Sequence, residues 1–141
     1  MRDTREVKHC IGIKVMRDKK AAKLTLRNLG HIMAMLQKFW MDTRSPTKTA
    51  MASGLTLRKT GENLLRDGNR YAVLVGFLLY LSTTTRPDIS FSVRVLSRFM
   101  SRPEKVHMRA AKAVLRYVRG ASRLDVMYGA NDALQGYVDA G

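Results

Sequence analysis

Arg70-Tyr71-Ala72-Val73-Leu74-Val75-Gly76-Phe77-Leu78-Leu79-Tyr80-Leu81-Ser82 is followed at once by Thr83-Thr84-Thr85-Arg86-Pro87-Asp88. The apolar core of this stretch, Tyr71–Leu81, is the longest such run in the chain. It is too short to cross a bilayer, which takes about 20 residues, so it predicts a buried helix and no membrane partner. The Thr-Arg-Pro-Asp segment breaks that helix and starts the next. Downstream, Ile89, Val93, Leu96 and Met100 recur at helical spacing, with Phe91, Val95 and Phe99 broadening the apolar face. Arg94 and Arg98 lie one turn apart on the other side. Ser101-Arg102-Pro103-Glu104 has the form of a capping box, with Ser101 as cap and Glu104 reaching back to its amide. The helix it opens runs to about Arg119, with Gly120 at the C′ position.

Upstream, residues 42–69 carry Pro, Thr, Ser, Gly and charges with little periodicity. They predict a long surface connection, and its length suggests packing on something outside this chain. Before it, Ile32, Met35, Leu36 and Phe39 mark an amphipathic helix over Asn28–Met41, with Asn28 as N-cap. Val7, Ile11, Ile13 and Val15 alternate with polar residues across Glu6–Met16, as in a half-buried strand. Lys23–Arg27 alternates again, completing a hairpin. At the other end, Leu124–Tyr128 and Leu134–Asp139 read as two short strands around a Gly129–Asp132 turn. The fold class is therefore α+β, mainly helical, with an N-terminal β-hairpin, amphipathic helices and a short C-terminal strand pair. The chain divides into residues 1–41, hairpin and helix; 42–69, connection; 70–120, three helices; and 121–141, the strand pair.

Composition narrows the function. The 141 residues carry a formal charge of +15, from 26 Lys+Arg against 11 Asp+Glu, and so large an excess favours a polyanion partner. Cys10 is the single cysteine, which excludes an intrachain disulfide and suits a reducing, intracellular compartment, cytoplasm or nucleus. The N-terminus has no apolar secretory segment. His9, His31 and His107 lack the close pairing of a zinc site. No glycine-rich phosphate loop or nucleophile elbow is present. Cys10, on a strand without a base beside it, reads as a small hydrophobe.

The helix after Ser101 carries the clearest binding signal. Lys105, Arg109, Lys112, Arg116 and Arg119 follow at steps of four, three, four and three. Five cations thus share one stripe, beside an apolar face of Val106, Ala110, Ala113, Val114 and Tyr117. Like charges at this spacing repel by a few tenths of a kcal/mol per pair, a cost that phosphates would relieve. A merely solvated helix face is the competing explanation. Tyr71, Phe77, Tyr80, Phe91 and Phe99 sit within apolar helices and read as core, so no stacking platform for bases is expected.

Several blocks together carry a family resemblance. They are Glu6-Val7-Lys8-His9-Cys10-Ile11-Gly12-Ile13, Leu24-Thr25-Leu26, Phe39, Met41, Pro46, Thr49 and Met51; Tyr71–Leu81 with Thr85-Arg86-Pro87-Asp88-Ile89; Leu96-Ser97-Arg98-Phe99-Met100, Pro103, His107, Ala110-Ala111-Lys112 and Leu115-Arg116-Tyr117; and Gly136-Tyr137-Val138-Asp139-Ala140. In this order the chain resembles a copia-type retrotransposon Pol polyprotein, from behind the reverse transcriptase palm into the start of ribonuclease H. The resemblance implies that the hairpin lies near the primer grip and that residues 70–120 are thumb or connection. It implies that residues 121–141 begin the ribonuclease H domain, and that Asp139 matches its first metal-binding aspartate. The parent family uses a divalent metal such as Mg2+, whereas no cofactor is expected in this chain. The paired polymerase aspartates would fall before Met1 and the other ribonuclease H carboxylates after Gly141. Arg5 stands where a glycine is usual, Trp40 where the family has a helix-ending glycine, and Ala50 where it has a proline.

The expectation is thus a chain without its own catalysis, holding an RNA–DNA hybrid or duplex through Lys105, Arg109, Lys112, Arg116 and Arg119. Its missing palm and ribonuclease H remainder would be partners. One alternative is an inert, poorly folded remnant that binds nothing, with a broad thermal transition. Another is a piece of an active enzyme, with further acidic motifs encoded on either side.

Overall fold

A computed structural model describes residues 9–10, 12–20, 22–122 and 126–129. The fold is α+β and mainly helical, as expected. Strands β1 (His9–Cys10), β2 (Ile13–Asp18), β3 (Lys23–Arg27) and β4 (Val126–Gly129) form one antiparallel sheet in sequence order. The hairpin of β2 and β3 is in place, with Val15 opposite Leu26 and Arg17 opposite Leu24. Two strand expectations need correction. Glu6–Met16 is not one strand: Cys10 pairs with Ile13, so the chain reverses between them. Gly12 makes that reversal possible, because its φ is +77° and a Cβ there would meet the His31 ring. Nor does the C-terminal strand β4 serve only a local hairpin, since it pairs with β3. The second expected strand, Leu134–Asp139, lies outside the described residues.

Helix α1 (Leu29–Lys38) follows β3 directly. Asn28 holds the N-cap place, but its side chain makes no cap bond and is buried without a hydrogen-bond partner. The C-terminal end is a Schellman motif. The Met41 amide donates to Leu36 O at 2.8 Å and the Trp40 amide to Gln37 O at 3.1 Å. Helix α2 (Gly68–Thr84) starts at Asp67, whose carboxylate accepts from the Arg70 amide at 3.2 Å. It outruns its expected end at Ser82: the Thr85 amide still donates to Leu81 O, and the Thr83 and Thr84 hydroxyls donate back to Leu79, Tyr80 and Leu81 carbonyls. A 3-10 turn, Pro87–Ile89, leads into α3 (Ser90–Ser97). Helix α4 (Lys105–Gly120) ends one residue later than its glycine suggested, with Ala121 as C-cap.

The core lies among these four helices. Leu36 and Phe39, then Tyr71, Leu74, Leu78 and Leu81, then Ile89, Val93 and Leu96, then Ala111, Val114, Leu115 and Val118 are all buried. Each fully buried Leu or Phe contributes about 1.5–3 kcal/mol by leaving water. Tyr71 also donates its hydroxyl to Leu96 O at 2.7 Å, joining α2 to α3, and burial pushes its phenol well above the ordinary range. Phe91, expected in the core, is instead 73 % exposed. With Ile89, Ser92, Val93 and Leu96 turned inward, position 91 falls on the outer side of α3.

The connection across residues 42–69 does not wait for an external partner. Ala50, Met51, Leu57 and Leu65 pack against the core. The Leu65 amide donates to Pro103 O, the Lys105 amide donates to Asn63 O, and Leu64 forms a bridge with Glu104.

Candidate nucleic-acid interface

Helix α4 places the five cations as their spacing requires. His107, Ala110, Ala111, Val114, Leu115 and Val118 are buried, which turns the cation stripe away from the core. Val106, assigned to the apolar face from sequence, is exposed. Lys105 and Arg109 stand exposed, while Lys112, Arg116 and Arg119 are half-buried. Lys105 and Arg109 edge a cavity of about 450 Å³ together with Thr60, Asn63 and the acids Glu62 and Glu104.

The helix start differs from the expected capping box. Ser101 is not the cap. Glu104 is, and its carboxylate turns outward to the connection, accepting from the Thr60 amide at 2.8 Å, the Thr60 hydroxyl at 2.7 Å and the Gly61 amide at 3.0 Å. The Thr60 hydroxyl bond, then the Gly61 amide, hold this carboxyl below its ordinary range. His107 completes the cap. Its Nδ1 accepts from the Glu104 amide at 3.0 Å, and Nε2 faces Arg58 O at 3.0 Å. An accepting Nδ1 assigns the neutral Nε2–H form, which donates to Arg58 O. Phe99 stacks on the ring at 3.9 Å between centroids. His107, which sequence offered only as a histidine without metal partners, is thus a helix cap buried at the join of connection and helix.

At the other end of the stripe the connection returns. Arg116 Nε donates to Ser45 O at 2.7 Å, and Arg119 donates to the Arg44 carbonyl. The Thr47 hydroxyl donates to Ala113 O at 3.1 Å. Gly120 admits Pro46: a Cβ there would lie 2.8 Å from the proline Cβ. Two of the five stripe cations therefore hold a strap made of residues 44–48, by the carbonyls of Arg44 and Ser45. These contacts join residues far apart in sequence, and no local spacing announces them.

The Thr85-Arg86-Pro87-Asp88 block is structural. Arg86 is 2 % exposed. Its Nε and NH2 donate to the two Asp88 oxygens at 3.0 and 2.8 Å, and NH1 donates to Ala121 O at 3.0 Å. Its guanidinium lies over the Tyr117 ring, whose hydroxyl donates to Asp88 at 2.9 Å. The bonds from Arg86, with that from Tyr117, hold the Asp88 carboxyl below its ordinary range. The Asp88 bond pushes the Tyr117 phenol up. The motif thereby locks the end of α2 to the last turns of α4.

The chain is 35 % identical to the retrovirus-related Pol polyprotein from transposon TNT 1-94 of Nicotiana tabacum, over 99 % of its length. It is 34 % identical to that from transposon RE1 of Arabidopsis thaliana, and 31 % identical to a transposon Ty5-1 protein of Saccharomyces cerevisiae, each again over 99 % of its length. The chain belongs to the Pol polyproteins of copia-type retrotransposons. It spans 11 % and 10 % of the tobacco and Arabidopsis Pol polyproteins and 46 % of the yeast protein. No protein-family model and no solved structure matches it.

Asp139 of this Pol polyprotein segment lies outside the described residues. Among those described, no group of three His, Cys, Asp or Glu side chains could hold a metal ion. Among the described residues, no helix is long and apolar enough to cross a membrane.

Proposed function

We propose that this Pol polyprotein segment derives from the reverse transcriptase and grips the sugar–phosphate backbone of a primer–template. Residues 1–41 would follow the palm near the primer grip, residues 70–120 would come from the thumb or connection, and residues 121–141 would begin ribonuclease H, with Asp139 as its first aspartate. Because β4 pairs with β3, that boundary is one of ancestry and not of folding. The RNA-directed DNA polymerase and ribonuclease H activities would belong to the parent polyprotein, not to this chain alone.

The observation that carries the proposal is the α4 stripe. Lys105, Arg109, Lys112, Arg116 and Arg119 stand on the side of a core helix opposite its buried face, in a chain of net charge +15. Such a ridge reads charge and shape, because phosphates are bound by charge and counterion release. The test is fluorescence anisotropy of a labelled RNA–DNA hybrid across a salt series. Full engagement of the five contributes about 4 to the magnitude of the log–log salt slope. Changing all five cations to Ala removes that contribution and weakens binding with it. Changing only Lys105, Arg109 and Lys112, which do not hold the strap, lowers the slope by roughly 3. An unbound hybrid at low salt, or variants that bind like the parent chain, would leave the stripe as a solvated face on an inert remnant.

A further inference from the structure

The strap of residues 44–48 does more than cover the end of α4. Four consecutive strap residues each touch the last turns of the helix: Arg44 and Ser45 through their carbonyls, Pro46 through Gly120, and Thr47 through its hydroxyl. Each of the two carbonyls receives a guanidinium. A carbonyl accepts a hydrogen bond without cancelling charge, so Arg116 and Arg119 keep theirs. Arg116 spends Nε on Ser45 O, leaving the four N–H donors of its two terminal nitrogens for another acceptor. A guanidinium already held in place loses less side-chain freedom when a phosphate arrives. Arg contacts phosphate best through two parallel N–H bonds, and the terminal nitrogens of Arg116 retain that geometry.

The strap also brings charge of its own. Arg44 and Lys48 are exposed. A concavity of about 420 Å³ opens beside the strap, edged by Lys48, Tyr117 and Gly120. Of the chain's acids, Asp88 is committed to Arg86 and Tyr117, and Glu104 to Thr60 and Gly61 at the far end of α4.

We infer that Arg44 and Lys48 of the strap join Arg116 and Arg119 of α4 in one composite surface for successive backbone phosphates of a nucleic-acid duplex. Thr47 and Gly120 act as positioning residues that hold the strap in register. This rests on the proposed hybrid binding and adds cations that lie outside the helix stripe.

The experiment uses the whole chain, the same RNA–DNA hybrid and a salt series. Three variants are compared with the parent: Arg44→Ala/Lys48→Ala, Thr47→Val and Thr47→Ser. The first should lower the salt slope by about 2 and weaken binding at least about tenfold at 0.1 M salt. Thr47→Val, which loses the bond to Ala113, should shift the slope the same way by a smaller amount. Thr47→Ser, which keeps the hydroxyl, should bind like the parent, a rescue that a general loss of packing would not give. Far-UV circular dichroism checks that each variant folds. If Arg44→Ala/Lys48→Ala keeps the parent slope while Lys105→Ala/Arg109→Ala/Lys112→Ala loses it, the strap surface is overturned and the stripe stands. If Thr47→Val and Thr47→Ser bind alike, the positioning role is overturned. If the parent chain does not bind the hybrid, both proposals fall together.

Discussion

Trp40 sits at the C′ position of α1 with φ +57°, a left-handed conformation that side chains with a Cβ adopt at a cost of about 1–2 kcal/mol. It is 76 % exposed, so little packing offsets that cost. The family glycine expected there from the resemblance suits the same geometry. Trp40→Gly should therefore raise stability by about 1 kcal/mol and the melting temperature by about 3 °C, measured by thermal circular dichroism. Arg86 makes the opposite prediction. Asp88→Asn leaves the buried guanidinium with a neutral partner and weakens two charge-assisted bonds. The expected cost is about 2 kcal/mol in urea unfolding, kept moderate because the carboxylate is partly exposed. A loss below about 0.5 kcal/mol would mean that Ala121 and Tyr117 alone satisfy Arg86. The weight of this block was visible in the resemblance, yet its cause was not. An Arg and an Asp two residues apart look like ordinary surface charges until the chain folds over them.

Among the elements, α2 was legible from its unbroken apolar run, α4 from its cation stripe and closing glycine, and the β2–β3 hairpin from apolar alternation. The start of α4 was misread for a physical reason. Ser-x-x-Glu suggests that Glu104 returns to one local amide, but Thr60 and Gly61 offer it three donors from 44 and 43 residues away. Three bonds to a carboxylate outweigh one, and Glu104 becomes the cap itself. This arrangement and the Arg86–Asp88 pair set the acid limit of the fold. Both carboxyls are held below their ordinary values of 4.5 and 3.8. Their contribution is complete above those values and is lost as pH falls through the lower, folded-state values. The urea midpoint should stay level from pH 7 to about 5 and decline below about 4.5. The Asp88→Asn/Glu104→Gln variant should start less stable and show a shallower decline. An identical decline in parent and variant would assign acid sensitivity to other groups. The strap was not legible at all, since Arg44, Ser45, Pro46 and Thr47 meet α4 through backbone carbonyls, a hydroxyl and a missing Cβ.

On the scale of the molecule, one core drawn from all four helices predicts cooperative unfolding. Far-UV circular dichroism and the near-UV signal of tyrosines such as buried Tyr71 should be lost at the same urea concentration. Separate midpoints would favour the alternative of a loosely folded remnant. The candidate surface was half legible. The α4 cations were readable from spacing because a helix converts spacing into direction. The exposure of Phe91 was not, because it depends on which neighbours of α3 the 3-10 turn directs inward. The sheet has a consequence for synthesis. Strand β3 acquires β2 at once, but its other edge waits for β4, which follows about 100 residues later. At about 5–20 residues per second, that edge stays open on the ribosome for about 5–20 s. An open strand edge is a template for aggregation, and lysine and arginine along it are a recognised defence. Lys23 and Arg27 at the ends of β3 would keep nascent chains apart until translation supplies the closing strand.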